Sequence, residues 1–505
     1  RISDFGFVFQ NNEEVLCNKQ SEIQNPKSEI GFFPMDDKAL IANVVSEVLK
    51  RMATPGSPIG AAARPATSSN GLHDNVDAAV EQATVAQQQL AKAGMETRDG
   101  ICKLLKAMAQ ENANEWGRIE LEETKVGRLD HKIAKLGLLQ GIPGVEFLKT
   151  AAKSGDKGIC LDEMAPWGVI GVITPVTHSI PTVTANAIAM IASGNSLVIN
   201  PHPSGAKCLC MAVEAYNKAI KAQFGIDALI NAMHTPTLES ADQIFKHPRI
   251  PMLVVTGGPA VARAAMQTPK RAVVAGPGNP PVVVDETADL KRAAEGIIFG
   301  AAFDNNLLCI GEKEVFVVDS VFDKMMAAMR QAGAVELSAG GVEKLTKAAI
   351  TWKDDHWVAG KDFIGKDPSV LAAAAGVKLR DGVDLLFGET SEDNPFVPVE
   401  QMMPFVPFVR VRDFDQALEL ALKHEHGFGH TAIIHSNNLN NITRMGQAVN
   451  TTLFAVNGPS TGCLGANGEG FPSYSIATPS GEGVTSPLTF TRFRRMTVTD
   501  SLRIV

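Results

Sequence analysis

Residues 169–200 are VIGVITPVTHSIPTVTANAIAMIASGNSLVIN, and this stretch decides the fold class. Two short apolar runs within it, 169–174 and Ser196–Asn200, have the length and β-branched composition of buried strands. Between them, residues 182–193 have the length and apolar content of a buried helix. A strand, a helix and a second strand in this order indicate a βαβ unit with parallel strands. The stretch therefore predicts an α/β fold.

The same alternation continues along the chain. It predicts helices at 206–222, 260–266, 290–303 and 414–423, and strands at 253–256, 282–284, Glu314–Val318 and 432–435. A long helical region is expected from Leu72 to about Lys153, and residues 488–505 are strand-like. We therefore expect two α/β domains, whose ligands bind at the carboxyl ends of the parallel strands.

An amphipathic helix precedes this body. Its apolar side chains from Leu40 to Met52 recur at the spacing of one helix face. Residues 54–71, TPGSPIGAAARPATSSNG, have the composition of a linker. Such a helix either folds back on the body or docks into a groove of a partner. Residues 1–34 are expected to be a non-native or disordered extension with Met35 as a candidate initiator, and a genuine extension is the alternative.

Composition and charge exclude several classes of protein. The 505 residues, 45% hydrophobic and 20% charged, describe a folded chain of more than one domain. A net charge of −8 argues against a nucleic-acid partner. The apolar stretch 183–199 is interrupted by Asn186 and Asn195, so we expect no membrane span. Seven cysteines without a CxxC pair indicate free thiols in a reducing compartment.

Cys309 is a candidate nucleophile. It lies in the run FDNNLLCIG, residues 303–311, at the end of a helical stretch. Backbone N–H groups at such a turn favour a thiolate and can bind an oxyanion. An inert core cysteine is the alternative that this residue alone leaves open.

Of two other groups of residues, the first suggests a binding site and the second does not. Thr256, Gly257 and Gly258 follow a strand and open a helix, where small residues let a dinucleotide approach the backbone. A tight turn without a ligand is the alternative. The histidines around residues 427–429 fit no zinc-ligand spacing, so we expect no metal; they are His424, His426, His430 and His435.

In their order and spacing these segments resemble the aldehyde dehydrogenase superfamily from about Leu72 to Val505. The landmarks are PWGVIG at 166–171 before Thr174 and Pro175, ASGNSLVI at 192–199 before Asn200 and Pro201, Thr256 with Gly257, Cys309, and residues 400–404. The resemblance implies a Rossmann-type cofactor domain, an α/β catalytic domain and a small oligomerisation flap. It makes Cys309 the expected nucleophile.

The resemblance also implies roles for other positions. Glu400 matches the residue that holds the nicotinamide ribose, and Thr177 occupies the place of the oxyanion-hole Asn. The remaining expected cofactor contacts are Thr174, Pro175, Asn200, His202, Thr256, Gly257 and Gly258. Because Asn200 replaces the usual Lys, NAD is slightly favoured over NADP. His202 either touches the cofactor or belongs to a capped turn.

One departure from the family pattern is informative. Hydrolytic members carry a Glu that activates water in the segment ELGGK, and here Val274 stands at that position, in VAGPG. Valine cannot accept a proton, so a thioester on Cys309 would persist until another nucleophile takes the acyl group. With NPHP at 200–203, this pattern looks like the coenzyme A-acylating branch, particularly the propionaldehyde and acetaldehyde dehydrogenases of bacterial microcompartments. Those enzymes carry an encapsulation helix on a linker, the arrangement of residues 36–71.

The implied reaction converts a short-chain aldehyde, CoA and NAD into acyl-CoA and NADH. A hydrolytic aldehyde dehydrogenase and a catalytically silent, shell-associated scaffold are the alternatives. The expected segments are the extension 1–34, the encapsulation helix 35–53, the linker 54–71, the cofactor-binding domain 72–284, the catalytic domain 285–457 and a returning segment with an oligomerisation strand, 458–505. Residues 36–53 are expected to bind shell proteins, and the protein to form a homodimer or homotetramer in the bacterial cytoplasm, inside a microcompartment.

Overall fold

The computed structural model describes residues 70–505. The predicted extension and amphipathic helix, and nearly all of the linker, lie outside the described residues. Elements are numbered here in chain order over residues 70–505. The helices are α1 Val76–Glu111, α2 Ala113–Thr124, α3 Leu129–Leu138, α4 Ser179–Ala192, α5 Ala206–Phe224, α6 Leu238–Lys246, α7 Pro259–Met266, α8 Leu290–Ala302, α9 Asp319–Gln331, α10 Ala339–Ala349, α11 Pro368–Ala374, α12 Phe414–Glu425 and α13 Leu439–Val449.

The strands of the same residues are mostly short and buried. They are β1 Leu72–His73, β2 Ala151–Gly155, β3 Gly158–Pro166, β4 Val169–Ile173, β5 Ser196–Asn200, β6 Ile230–Met233, β7 Met252–Thr256, β8 Arg271–Ala275, β9 Pro281–Val284, β10 Glu314–Val318, β11 Val335–Glu336, β12 Ile350–Lys353, β13 His356–Ala359, β14 Leu386–Thr390, β15 Phe405–Val411, β16 Thr431–His435, β17 Leu453–Val456, β18 Ile476–Ala477, β19 Gly483–Val484 and β20 Thr491–Thr499.

The first sheet confirms the predicted βαβ unit. Its strands are all parallel, in the order β1-β6-β5-β4-β7-β8, and β4 and β5 pair with Val169 opposite Ser196. All five residues of each of these two strands are buried, as are all residues of α4. The helix begins at Ser179, earlier than predicted, because Pro181 is tolerated within a first helical turn. The unit places the carboxyl ends of β4 and β5 side by side.

Asn195 gives the family landmark ASGNSLVI a physical basis. Its side-chain oxygen accepts hydrogen bonds from the backbone N–H groups of Trp167 and Gly168, at 2.7 and 2.9 Å. Its amide nitrogen donates to the carbonyls of Met190 and Phe490, at 3.2 and 2.9 Å. One buried side chain therefore joins the end of α4, the start of β4 and the C-terminal segment.

The second sheet is parallel as well, in the order β11-β14-β15-β10-β9-β16-β17. Strand β9 pairs with β10 on one side and β16 on the other, so it lies inside this sheet. The predicted domain boundary between residues 284 and 285 is therefore too late. The chain passes from one sheet to the other between Ala275 and Pro281.

A third sheet is antiparallel, with the order β2-β3-β20. The predicted helical region ends at Leu138 and β2 begins at Ala151, so its expected end near residue 153 is wrong. Most of β20 is exposed, and Phe493 and Met496 are 56% and 48% exposed. The strand is present as predicted, and its role in an oligomer stays a prediction. Within residues 70–505 no helix combines the length and apolar character that crossing a bilayer requires.

Candidate active site

A cavity of 580 Å³ lies where the carboxyl ends of β4, β5 and β7 face the turn that carries Cys309. All the positions predicted as site residues contribute to its wall: Cys309, Thr177, Thr174, Pro175, Asn200, His202, Thr256, Gly257, Gly258 and Glu400. The carboxyl ends of parallel strands are the expected location of a ligand site. The structure thus brings the predicted residues together, and their individual roles stay predictions.

The turn before Cys309 has an unusual backbone. Asp304, Asn305 and Asn306 all have left-handed conformations, with φ of 51°, 56° and 64°. Asp and Asn tolerate this region better than other side chains with a Cβ atom. Three successive residues of this kind turn the chain after α8 and lead it to Cys309.

A buried group of charges holds this turn in place. The Nζ of Lys135 donates to the carboxylate of Asp304, and the Nζ of Lys132 donates to Glu120 at 3.0 Å. Both ammonium groups also donate to the carbonyl oxygen of Thr177, at 2.8 Å from Lys132 and 3.4 Å from Lys135. Burial would raise the pKa of Asp304, but Lys135 and Lys132 outweigh burial and lower it. The charged group therefore joins the turn before Cys309 to the loop that carries Thr177.

Lys313 holds the other side of the same turn. Its buried Nζ donates to the carbonyls of Asn306 and Leu308, at 3.1 and 3.0 Å, and to the side-chain oxygen of Asn306. Burial raises the pKa of Cys309 and of Glu400, and the ammonium group of Lys313 opposes that rise. Lys313 therefore fixes the backbone just before the sulfur and offsets negative charge near it.

The Cys309 thiol is protonated in this resting site. Burial raises its pKa to about 12, the charge of Glu400 adds to the rise, and Lys313 and the N–H groups of Cys309 and Ile310 oppose it. The expected turn-borne N–H groups are thus present beside the sulfur. They do not outweigh burial, so attack on an aldehyde requires a base that removes the thiol proton.

The position predicted for the missing hydrolytic base, Val274, does not line the cavity. Val274 is fully buried in β8, where it belongs to the core under the first sheet. The next three residues, Ala275, Gly276 and Pro277, line the cavity instead. Because side chains alternate along a strand, a shift of one residue exchanges core and cavity. The cavity-facing residue at the end of β8 is therefore Ala275, which cannot accept a proton either.

Glu400 is the one carboxylate among the cavity-lining residues that the structure describes. Burial raises its pKa, while Lys313 and the backbone N–H of Gly278 lower it. The charge of Glu400 acts on Cys309, which places the two groups in the same end of the cavity. Glu400 can therefore either hold a ribose hydroxyl or accept a proton.

The other end of the cavity suits a dinucleotide. A Cβ atom added to Gly257 or Gly258 would meet no other atom within 4 Å, so the backbone before α7 is open to a ligand. The buried hydroxyl of Thr174 at the end of β4 has no partner among residues 70–505. Open backbone at a helix N-terminus and an unpaired hydroxyl are suited to a pyrophosphate and ribose.

Asn200 and His202 are largely committed to the protein itself. The side chain of Asn200 donates to the carbonyl of Thr237 at 3.2 Å and accepts from the hydroxyl of Ser240 at 2.5 Å. The Nδ1 of His202 accepts the N–H of Ser204 at 3.1 Å. His202 therefore belongs to a capped turn, one of its two expected interpretations, and its exposed ring still lines the cavity.

His430 lies close to the nucleophile turn. A Cβ on Gly278 would be 2.5 Å from the carbonyl oxygen of Cys309 and 3.0 Å from the His430 ring, so Gly278 alone separates the two. The Nδ1 of His430 lies 2.8 Å from the Thr431 hydroxyl, and its Nε2 has no partner within the described part of the chain. Burial, followed by Lys313, lowers the pKa of His430 to about 4. His430 is thus a neutral imidazole next to the reaction centre.

Sequence reasoning missed Lys132, Lys135, Lys313 and His178. The first two lie one helical turn apart on α3, and both are buried, an exceptional position for lysine. Lys313 stands between two glutamates directly before a buried strand. A charged residue that interrupts an apolar helix face or abuts a buried strand is the signal that could have identified these lysines.

The chain belongs to the aldehyde dehydrogenase family, which matches residues 58–471. It is 42% identical to the acetaldehyde dehydrogenase (acetylating) of Bilophila wadsworthia, over 92% of this chain and 99% of the relative. Propionaldehyde dehydrogenase of Rhodopseudomonas palustris, solved with bound CoA and an acylated cysteine, superposes with a TM-score of 0.84 at 38% identity, over 87% of this chain and 100% of that one.

A second solved structure is similar to the same extent. It is the propionaldehyde dehydrogenase from the Clostridium phytofermentans fucose utilisation bacterial microcompartment, with a TM-score of 0.83 and 40% identity. The match covers 86% of this chain and 100% of that chain. The predicted resemblance to the family is therefore confirmed.

The raised pKa of Cys309 generates a prediction for the enzyme without ligands. Below the pKa the thiolate fraction increases with pH, so alkylation of Cys309 by iodoacetamide should become about tenfold faster per pH unit from pH 7 to pH 10. Peptide mass spectrometry measures the labelling, with Cys309→Ala to identify the peptide. A rate that levels off near pH 8 would contradict the protonated resting thiol.

Proposed function

We propose that this protein is a CoA-acylating aldehyde dehydrogenase, which converts a short-chain aldehyde, CoA and NAD into acyl-CoA and NADH. The observation that carries the proposal is the cavity wall beside Cys309. At the end of β8 this wall consists of Ala275, Gly276 and Pro277, without a proton acceptor that could activate water. The relatives that match nearly the whole chain are acylating enzymes by name, which supports the same reaction.

The residues of the site divide the chemistry between them. After the thiol loses its proton, the sulfur of Cys309 adds to the aldehyde carbon, and the adjacent N–H groups stabilise the negative oxygen. A bound nicotinamide would accept a hydride from this adduct, and loss of the hydride would leave a thioester on the sulfur. Gly257, Gly258, Thr174 and Glu400 are the residues that would hold this cofactor. The thiol of CoA then takes the acyl group and frees Cys309.

Transfer to CoA requires removal of a proton from its thiol. Glu400 and His430 are proton acceptors close to the Cys309 turn. Glu400 can approach from inside the cavity, whereas His430 stands behind Gly278 with a free Nε2. Burial raises the pKa of Glu400, which makes its carboxylate a stronger base. Burial lowers the pKa of His430 to about 4, which keeps the imidazole neutral but makes it a weaker base than an ordinary histidine.

The proposed reaction predicts strict dependence on CoA. With acetaldehyde or propionaldehyde and NAD, the wild type should form NADH continuously only when CoA is present, and NAD should exceed NADP as acceptor. Cys309→Ala should abolish turnover, because Cys309 is the one cysteine among the described residues that line the cavity. Absorbance of NADH and chromatography of acyl-CoA measure both products.

The matched control is Cys160→Ala, which removes a half-buried cysteine on β3, outside the cavity wall. This variant should keep full activity. Sustained NADH formation without CoA would instead identify a hydrolytic enzyme, with Glu400 as the base. An inert wild type that shows no thermal shift with NAD would favour the silent scaffold.

We further propose that the protein works inside a bacterial microcompartment. The support is the stripe from Leu40 to Met52, the linker 54–71, and the relative from a fucose utilisation microcompartment. In this proposal residues 36–53 form a helix that binds shell proteins, and the exposed strand β20 joins subunits into a homodimer or homotetramer.

Deletion of residues 35–54 tests the docking helix. The truncated enzyme should keep its CoA-dependent activity, because the cavity is built from residues beyond 134. It should no longer co-purify with shell proteins expressed in the same cells. A matched variant with its apolar stripe intact and the linker shortened should still co-purify; unchanged co-purification of the deleted form would refute the docking role.

A further inference from the structure

His178 is a buried imidazole in the wall of the cavity that contains Cys309. It immediately precedes α4, lines the cavity and is only 7% exposed. Its ring lies 5.6 Å from the ring of Tyr474, measured between centroids. The Tyr474 hydroxyl donates to the carbonyl of Lys135 at 2.9 Å and is therefore already committed. His178 is thus a polar side chain in the wall of the same cavity as Cys309.

The two ring nitrogens of His178 have different surroundings. Its Nε2 lies 3.2 Å from the hydroxyl oxygen of Thr177. Its Nδ1 is buried and has no hydrogen-bond partner among residues 70–505. A buried polar atom without a hydrogen-bond partner destabilises the protein, and in a binding site a ligand can supply the missing partner.

The contact with Thr177 decides which nitrogen of the neutral His178 ring is the donor. Burial lowers the pKa of His178 well below its ordinary value, and the charges of Lys135 and Lys132 lower it further. The ring is therefore neutral and carries one proton. When the Thr177 hydroxyl donates to Nε2, that proton resides on Nδ1. Thr177 thereby orients the imidazole.

The same lysines fix His178 relative to the nucleophile. They donate to the carbonyl oxygen of Thr177, which belongs to the same peptide group as the backbone N–H of His178. Lys135 also binds Asp304 in the turn that leads to Cys309. One buried group of charges therefore holds both the loop that leads to His178 and the turn that leads to Cys309.

We propose that Nδ1 of His178 donates a hydrogen bond to the aldehyde oxygen while Cys309 adds to the carbonyl carbon. This inference rests on the proposed function. As the sulfur–carbon bond forms, the π pair of the C=O bond moves onto oxygen, and the His178 proton stays on nitrogen throughout. When hydride leaves for the nicotinamide, that pair returns and the C=O bond forms again as the thioester carbonyl.

The aldehyde oxygen is a better acceptor for the His178 N–H than a hydroxyl substituent of the substrate. Every aldehyde carries that oxygen, whereas only some carry a hydroxyl group. The Thr177 hydroxyl, which the sequence predicted as the second oxyanion donor, faces His178 instead. The structure therefore assigns Thr177 an orienting role and His178 the direct contact.

The test compares His178→Leu with His178→Asn, which keeps an N–H donor. For acetaldehyde, propionaldehyde and lactaldehyde alike, we expect His178→Leu to lower kcat about 100-fold, as for loss of one oxyanion donor. The Asn variant should recover most of that loss. The alkylation rate of Cys309 and the thermal shift with NAD should stay at wild-type values in both variants, because a merely structural defect would change them. His356→Asn, on the exposed strand β13, is the matched control.

Two results would overturn the inference while the wild type remains active with CoA. One is a His178→Leu variant that keeps kcat within about twofold for all three aldehydes. The other is a loss confined to lactaldehyde, which would mean that the imidazole contacts the substrate hydroxyl.

If the Leu variant does not fold, Thr177→Val provides the test. This change should lower kcat in the wild type but not in the Asn variant, and equal losses in both backgrounds would contradict the orienting role. A wild type without CoA-dependent NADH formation would instead refute the proposed function.

Discussion

The buried ion pair between Lys135 and Asp304 is the contact on which the geometry of the active site depends. It joins α3 of the first domain to the left-handed turn that carries Cys309. With Lys132 and Glu120 it also holds the carbonyl of Thr177. Charges in a dry interior are costly unless they are paired, so removal of one partner leaves the other uncompensated. The chain retains this cost where the nucleophile must be placed precisely against two loops from different parts of the sequence.

The order of strands and helices could be predicted from the sequence because the buried parallel strands are continuous apolar runs. Ser196–Asn200 and Glu314–Val318 were predicted with the bounds that the structure shows. The place of β9 in the second sheet could not be predicted, because the apolar composition of Pro281–Val284 would suit a buried strand of either sheet. The helical region before β2 was predicted too long, since its last residues have no period that marks the end.

The candidate site, like the fold, could be predicted only in part. Its predicted residues line one cavity because the family landmarks follow strand ends, and strand ends of parallel sheets converge. The side chains that control the chemistry of Cys309 could not be found in this way. Lys135, Lys313 and His178 are separated from Cys309 in the sequence or lack a motif, and only the fold shows that each is buried. Sequence alone also does not show that Val274 is buried in the core while Ala275 lines the cavity, since the direction of a strand side chain depends on register.

The proposed reaction requires that an acyl group on Cys309 outlives exposure to water and leaves with CoA. Mass spectrometry of the enzyme incubated with propionaldehyde and NAD, in the absence of CoA, tests this requirement most directly. We expect a propionyl adduct on the peptide that contains Cys309, stable over minutes and discharged as propionyl-CoA within seconds of adding CoA. An unmodified Cys309 during turnover, or an adduct that disappears equally fast without CoA, would contradict it.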